Sequence, residues 1–191
     1  MLTIVQSPAT VLSQTAKPIA RIDKAIRRLI KEMEETLVSA HDPEGVGLAA
    51  PQIGKSLQLF VTKQSPRSPL LTFINPHIES FFDESESIRE NSQKIKENQE
   101  KEKGVQLEGC LSVKDIWGVV KRQYGIVLSY MDEYGIIHKR KFDGFIATIL
   151  QHECDHLQGV LFTKRVLQQH GKLYRSVKNT EGETEFEEIE V

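Results

Sequence analysis

Residues 152–156, His-Glu-Cys-Asp-His, carry the clearest chemical signal in the chain. Histidines at i and i+4 of a helix lie on one face, one turn apart, so both imidazoles can reach a single metal ion. Glu153 stands beside the first of them, where its carboxylate can take a proton from water at that metal. Phe145 and Ile149 continue the same stripe towards the N-terminus, so the histidines point inward. The competing reading, two core histidines bonded to backbone, would also have to explain two carboxylates beside a buried face. A catalytic divalent ion usually takes three protein ligands and leaves a place for water. Cys110 is the candidate third ligand, since a thiolate suits zinc or ferrous iron; taken alone it reads equally as a small core residue. Cys154 lies about 200° around the helix from His152, so it is expected to face away as a packed free thiol.

These residues need elements to hold them. A second helix is expected over 143–158, with Asp143 as a possible cap and Gly159 as its stop. An earlier one is expected over 21–40, where Ile22, Ile26, Leu29, Ile30, Met33 and Leu37 recur at helical spacing. Residues 1–20 read as irregular, broken by Pro8 and Pro18. Residues 41–54, HDPEGVGLAAPQIG, crowd three glycines into fourteen positions and would let backbone approach a ligand closely. Strands are expected over 57–62 and 70–74, a boundary at Asn75-Pro76, and a further short strand over 77–82. Residues 83–103 have 12 charged positions in 21, no glycine and no proline, and read as a solvated insertion. After it, alternating runs broken by Gly125 and by a turn at 132–135 suggest antiparallel strands. Residues 171–191 form an acidic tail, solvated or an edge strand.

The bulk composition limits the function. A chain of 191 residues suits one compact domain, and a domain of this size buries roughly 70% of its unfolded surface. Lys plus Arg number 25 against 27 Asp plus Glu, a balance that argues against nucleic-acid binding as the main activity. No apolar run approaches membrane-spanning length, so no membrane association is expected. The opening residues lack the charged and apolar blocks of a secretory signal, and no Arg/Ser-rich transit leader is visible. Two cysteines exclude a disulfide scaffold.

Three motifs carry a resemblance. GVGLAAPQIG (45–54), EGCLS (108–112) and QHECDHLQGVLF (151–162) resemble, in order and interval, the three motifs of peptide deformylases. INP at 74–76 agrees as well. The resemblance covers roughly residues 20–165; the first twenty match the family's usual opening poorly. It implies an α+β fold, with short antiparallel strands packed around a central metal-binding helix. It also implies a single catalytic domain over 1–191. The implied reaction removes the formyl group from the N-terminal formylmethionine of newly made proteins.

The resemblance further implies that Cys110, His152 and His156 bind one Fe(2+) per chain, with Zn(2+), Ni(2+) or Co(2+) as substitutes. Glu153 would be the general base for the attacking, metal-bound hydroxide. Gln52 and the Leu111 N–H would hold the oxyanion. Backbone at Gly47 and Gly109 would pair with the extended substrate. Val46, Phe145, Thr148 and Ile149 would receive the methionine side chain, with core packing as the equal alternative by periodicity alone. Asp155 would orient a ligand or anchor the helix. N-formylmethionyl peptides of nascent chains are the implied partners, the ribosome a further candidate, and a bacterial cytoplasm the fitting location.

Two positions depart from the family pattern. Lys114 stands where proline is common, and Trp117 where a basic residue contacts substrate. Trp117 would stack on the substrate chain or pack inward. A zinc peptidase would share H-E-x-x-H, but Cys110 and the Gln52 motif argue against it. A catalytically silent relative is argued against by Glu153, Gln52 and the complete ligand set.

Overall fold

The computed structural model describes residues 1–41, 44–85, 107–180 and 182–190. The charged insertion expected over 83–103 lies almost wholly outside them. Helix α1 spans Lys24–Val38, and Asp23 caps it by accepting from the Ile26 N–H. Its buried stripe, Ile30, Met33 and Leu37, packs with Leu48, Ile53, Leu59, Val61 and Ile74. The strands are β1 Gly47–Ala49, β2 Leu59–Thr62, β3 Leu71–Phe82, β4 Leu107–Cys110, β5 Val113–Val119, β6 Gly125–Met131, β7 Ile137–Asp143, β8 Leu173–Lys178 and β9 Thr184–Ile189. Helices α2, Gly144–Leu157, and α3, Phe162–Gln168, lie between β7 and β8.

Every strand pairing is antiparallel. Five strands form one sheet in the order β1-β2-β3-β6-β7, and four form another in the order β4-β5-β8-β9. The α2 helix lays Ala147, Leu150 and Leu157 on the larger sheet, against Phe60, Phe73, Ile126 and Leu128. The smaller sheet has its own core, where Cys110, Val120 and Leu173 meet Phe162 and Val166 of α3. The expected α+β arrangement around a central helix is therefore the one adopted.

Two expectations need correction. The boundary at Asn75-Pro76 is a bulge inside one long strand. Register shifts there absorb the proline's missing N–H, and Asn75 adopts φ 49° while its amide binds both backbone groups of Ile19. Asp143 occupies the N-cap position of α2 without a side-chain bond to the first turn. The acidic tail does form an edge strand, β9, with β8 before it in the body of the sheet. The turn at 132–135 does form: Asp132 Oδ1 accepts from the N–H groups of Tyr134 and Ile136, and Gly135 takes φ 85°. At the far end of α2, Gly159 takes φ 69° and stops the helix.

Candidate active site

One cavity of about 260 Å3 opens between β1, β4 and α2. The facing edges of the two sheets meet there, since among the described residues β1 and β4 are each the end strand of a sheet. Cys110 ends β4 and is buried; α2 projects His152 and His156 towards it. The three candidate ligand atoms all lie within 4.8 Å of one another, with Cys110 Sγ 3.2 Å from His156 Nε2. Burial, with His152 and Arg122 nearby, holds the His156 imidazole well below its usual pKa. This donor set of one thiolate sulfur and two imidazoles fits a divalent transition ion.

His152 Nδ1 lies 3.0 Å from Glu108 Oε2, which aims the other ring nitrogen at the cluster. Glu108 is gripped from behind by Arg122, at 2.8 and 2.9 Å. Arg122 also donates to Asp155 at 2.6 Å, and Arg165 adds two bonds to the same carboxylate. Burial alone would raise the Glu108 carboxyl, but the Arg122 and His152 hydrogen bonds outweigh it and hold it below the ordinary value. Glu108 sits inside EGCLS and could have been flagged from that motif. Arg122 carries no signal in sequence, since only the fold brings it between two carboxylates. Asp155 does anchor α2.

Glu153 is 3% exposed, and burial pushes its carboxyl up to about 7. Its Oε2 has no hydrogen-bond partner, and its other oxygen lies against the α-carbon of Gly47. Gln52 is equally buried, in a 3-10 turn at Ala50–Ile53. The Ala49 N–H donates to Gln52 Oε1 at 2.8 Å, so the Gln52 NH2 faces Cys110 Sγ at 3.5 Å. Val46, Gly47, Gln52, Gly109, Leu111, Phe145, Thr148, Ile149 and Glu153 all line the cavity with Cys110 and His152, while His156 sits beneath it. Phe145 is at the mouth, 39% exposed.

Trp117 lies outside the predicted set of site residues yet forms a wall of the cavity. Its ring is flat against Gly109 and meets Phe186 of β9 edge-on at 5.7 Å. Lys114 is exposed. Cys154 packs on the far side of α2, its thiol pushed up to about 12 by burial and by Asp155 and Glu153.

The family model for polypeptide deformylase matches residues 1–172. The chain belongs to the polypeptide deformylase family. That match takes in the first twenty residues, beyond the stretch of roughly 20–165 over which the motifs carry the resemblance. The chain is 41% identical to a peptide deformylase of Synechocystis, covering 82% of this chain and 74% of the relative. It is 40% identical to one of Rhizobium meliloti, covering 81% and 79%. Among solved structures, the Synechococcus elongatus peptide deformylase in complex with actinonin is 36% identical with a TM-score of 0.70, over 86% of this chain and 78% of that one. The Thermotoga maritima enzyme is 32% identical with a TM-score of 0.69, over 86% and 97%. Membership makes the chain a metal-dependent hydrolase that removes the formyl group from the N-terminal formylmethionine of new proteins. No helix among the described residues is long and apolar enough to cross a membrane.

Proposed function

We propose that Cys110, His152 and His156 hold one Fe(2+), for which Zn(2+), Ni(2+) or Co(2+) can stand in. When bound, such an ion supplies Lewis acidity, which brings the deprotonation of water towards neutral pH. Glu153 takes a proton from the attacking water at a carboxylate oxygen and returns it to the leaving amine nitrogen. A buried carboxyl raised to about 7 is matched to both transfers. Gln52 Nε2 and the Leu111 N–H donate to the formyl oxygen as it gains charge. The formyl-Met peptide adds as a strand between the free edges of β1 and β4, against Gly47 and Gly109. Its methionine side chain enters among Val46, Phe145, Thr148 and Ile149.

The observation that carries this reading is the convergence of the ligand cluster, the unpartnered Glu153 carboxylate and the Gln52 amide on one cavity. One catalytic domain over residues 1–191 is part of the reading, as are a bacterial cytoplasm and an encounter with nascent chains at the ribosome.

The test is formate release from formyl-Met peptides by protein loaded anaerobically with iron. Glu153→Ala should keep its metal and lose on the order of 10²-fold or more in turnover. A Glu153→Ala protein as active as the parent refutes the mechanism. Unchanged metal content in Cys110→Ala removes Cys110 from the ligand set.

A further inference from the structure

The N-terminal segment binds the backbone carbonyls of both residues assigned to the formyl oxygen. The Val5 N–H donates to the Gln52 carbonyl at 2.8 Å. Gln6 Nε2 donates to the Leu111 carbonyl at 2.9 Å. The Ser7 N–H donates to the Ser112 carbonyl at 2.8 Å. Three consecutive residues thus bind two loops that belong to different sheets, one following β1 and the other joining β4 to β5.

The middle bond matters most. The peptide group that joins Leu111 to Ser112 is held at both ends: its carbonyl accepts from Gln6, and its N–H donates to Cys110 Sγ at 3.5 Å. That peptide is joined through the Leu111 α-carbon to the one that carries the Leu111 N–H, so holding it at both ends restrains where that N–H sits. An oxyanion donor acts by being aimed before charge develops, so an error in its direction is felt in turnover more than in binding. Gln6 itself is exposed. The rest of the segment is secured elsewhere, by buried Leu12, Ala16 and Ile19 and by the Ala16 N–H bond to the Leu157 carbonyl. Changing Gln6 therefore leaves the segment in place.

We propose that Gln6 is a positioning residue for the reaction: as the middle of a strap over residues 5–7, it orients the Leu111 peptide relative to Gln52. This rests on the assignment of Gln52 and Leu111 as the donors to the formyl oxygen. It assigns a catalytic consequence to an irregular opening segment that lies outside the cavity.

The test compares Gln6→Met, which keeps length and removes the donor, with Gln6→Lys, which keeps a donor. Both are measured alongside Gln52→Ala, all with equal metal loading. Gln6→Met should lower kcat about three- to tenfold with KM within twofold. Its thermal midpoint should stay within about 2 °C of the parent. Gln6→Lys should stay near the parent. Parental kcat in Gln6→Met, with Gln52→Ala strongly impaired, overturns the strap alone. A kcat loss that Lys does not rescue, or one that tracks a fall in thermal midpoint, overturns it as a merely structural contact. Parental kcat in Gln52→Ala overturns the underlying donor assignment, and the strap with it.

Discussion

Replacing Gly47 with alanine should disable the proposed base without touching it. Gly47 is in strand β1 and has no positive φ, so its backbone accepts an L side chain. The added methyl would stand 2.7 Å from Glu153 Cδ and 3.0 Å from Cγ, and would overlap one carboxylate oxygen. Ordinary contact begins near 3.4 Å, so Glu153 Cδ must retreat by about 0.7 Å and the overlapped oxygen by about 1 Å. Glu153 is buried, and the direction left to it is into the cavity. A reacting group displaced on that scale costs about 10²-fold in turnover. Formate release should show that loss in kcat, with metal content unchanged. The strand could yield instead of the side chain; overpacking would then cost about 1–3 kcal/mol, seen in denaturant unfolding. Shortening the base relieves the contact, so Gly47→Ala combined with Glu153→Asp should lose less than the product of the two single effects. A kcat within twofold of the parent in Gly47→Ala, with metal bound, would refute the claim that turnover depends on where this carboxylate lies.

Four further substitutions separate fold from chemistry. Arg122→Met leaves Glu108 and Asp155 buried with one cationic partner fewer, and should cost about 3–5 kcal/mol in urea unfolding, together with weaker metal retention. Gly159→Ala imposes φ 69° on an alanine whose methyl would meet the Ser13 carbonyl carbon at 2.5 Å. It should destabilise by about 2 kcal/mol or more, while the folded fraction keeps its kcat. Trp117→Ala removes a cavity wall and should raise KM several-fold for formyl-Met peptides, to a degree that depends on the residue after methionine; Phe186→Ala should act in the same direction more weakly.

The histidine pattern was readable because metal binding imposes a spacing on a helix, and Gly47 and Gln52 because their segment resembles a motif of the family. Other features gave no such signal. Arg122 and Arg165 look like ordinary surface cations until β5, α2 and α3 are packed together. Pro76 reads as a strand end, yet the bulge lets β3 run on through Phe82. The opening segment lacks periodicity because its backbone groups bond singly to distant points of the chain, at Gln52, Ser56, Ser112 and Leu157, rather than along a ladder. Trp117 was ambiguous because a cross-strand aromatic above a glycine packs and lines a wall at once.

The polar face of α2 shows how the helix reconciles burial with reactivity. Gln151, Glu153, Asp155 and His156 are all buried, a costly set for one helix. Gln151 is satisfied by the Gln123 and Ala147 carbonyls, and Asp155 by Arg122 and Arg165. His152 is held by Glu108. The exceptions on this helix, among the described residues, are Glu153 Oε2 and His156 Nδ1. Burying the Glu153 carboxyl costs stability, and the same burial raises it to about 7. A hydrogen-bond donor introduced beside Glu153 would relieve both effects together. The protein would become more stable, and the carboxyl would fall away from neutral and lose strength as a base. Stability and turnover are therefore opposed at this one atom, whereas along the Glu108–Arg122–Asp155–Arg165 chain they rise and fall together.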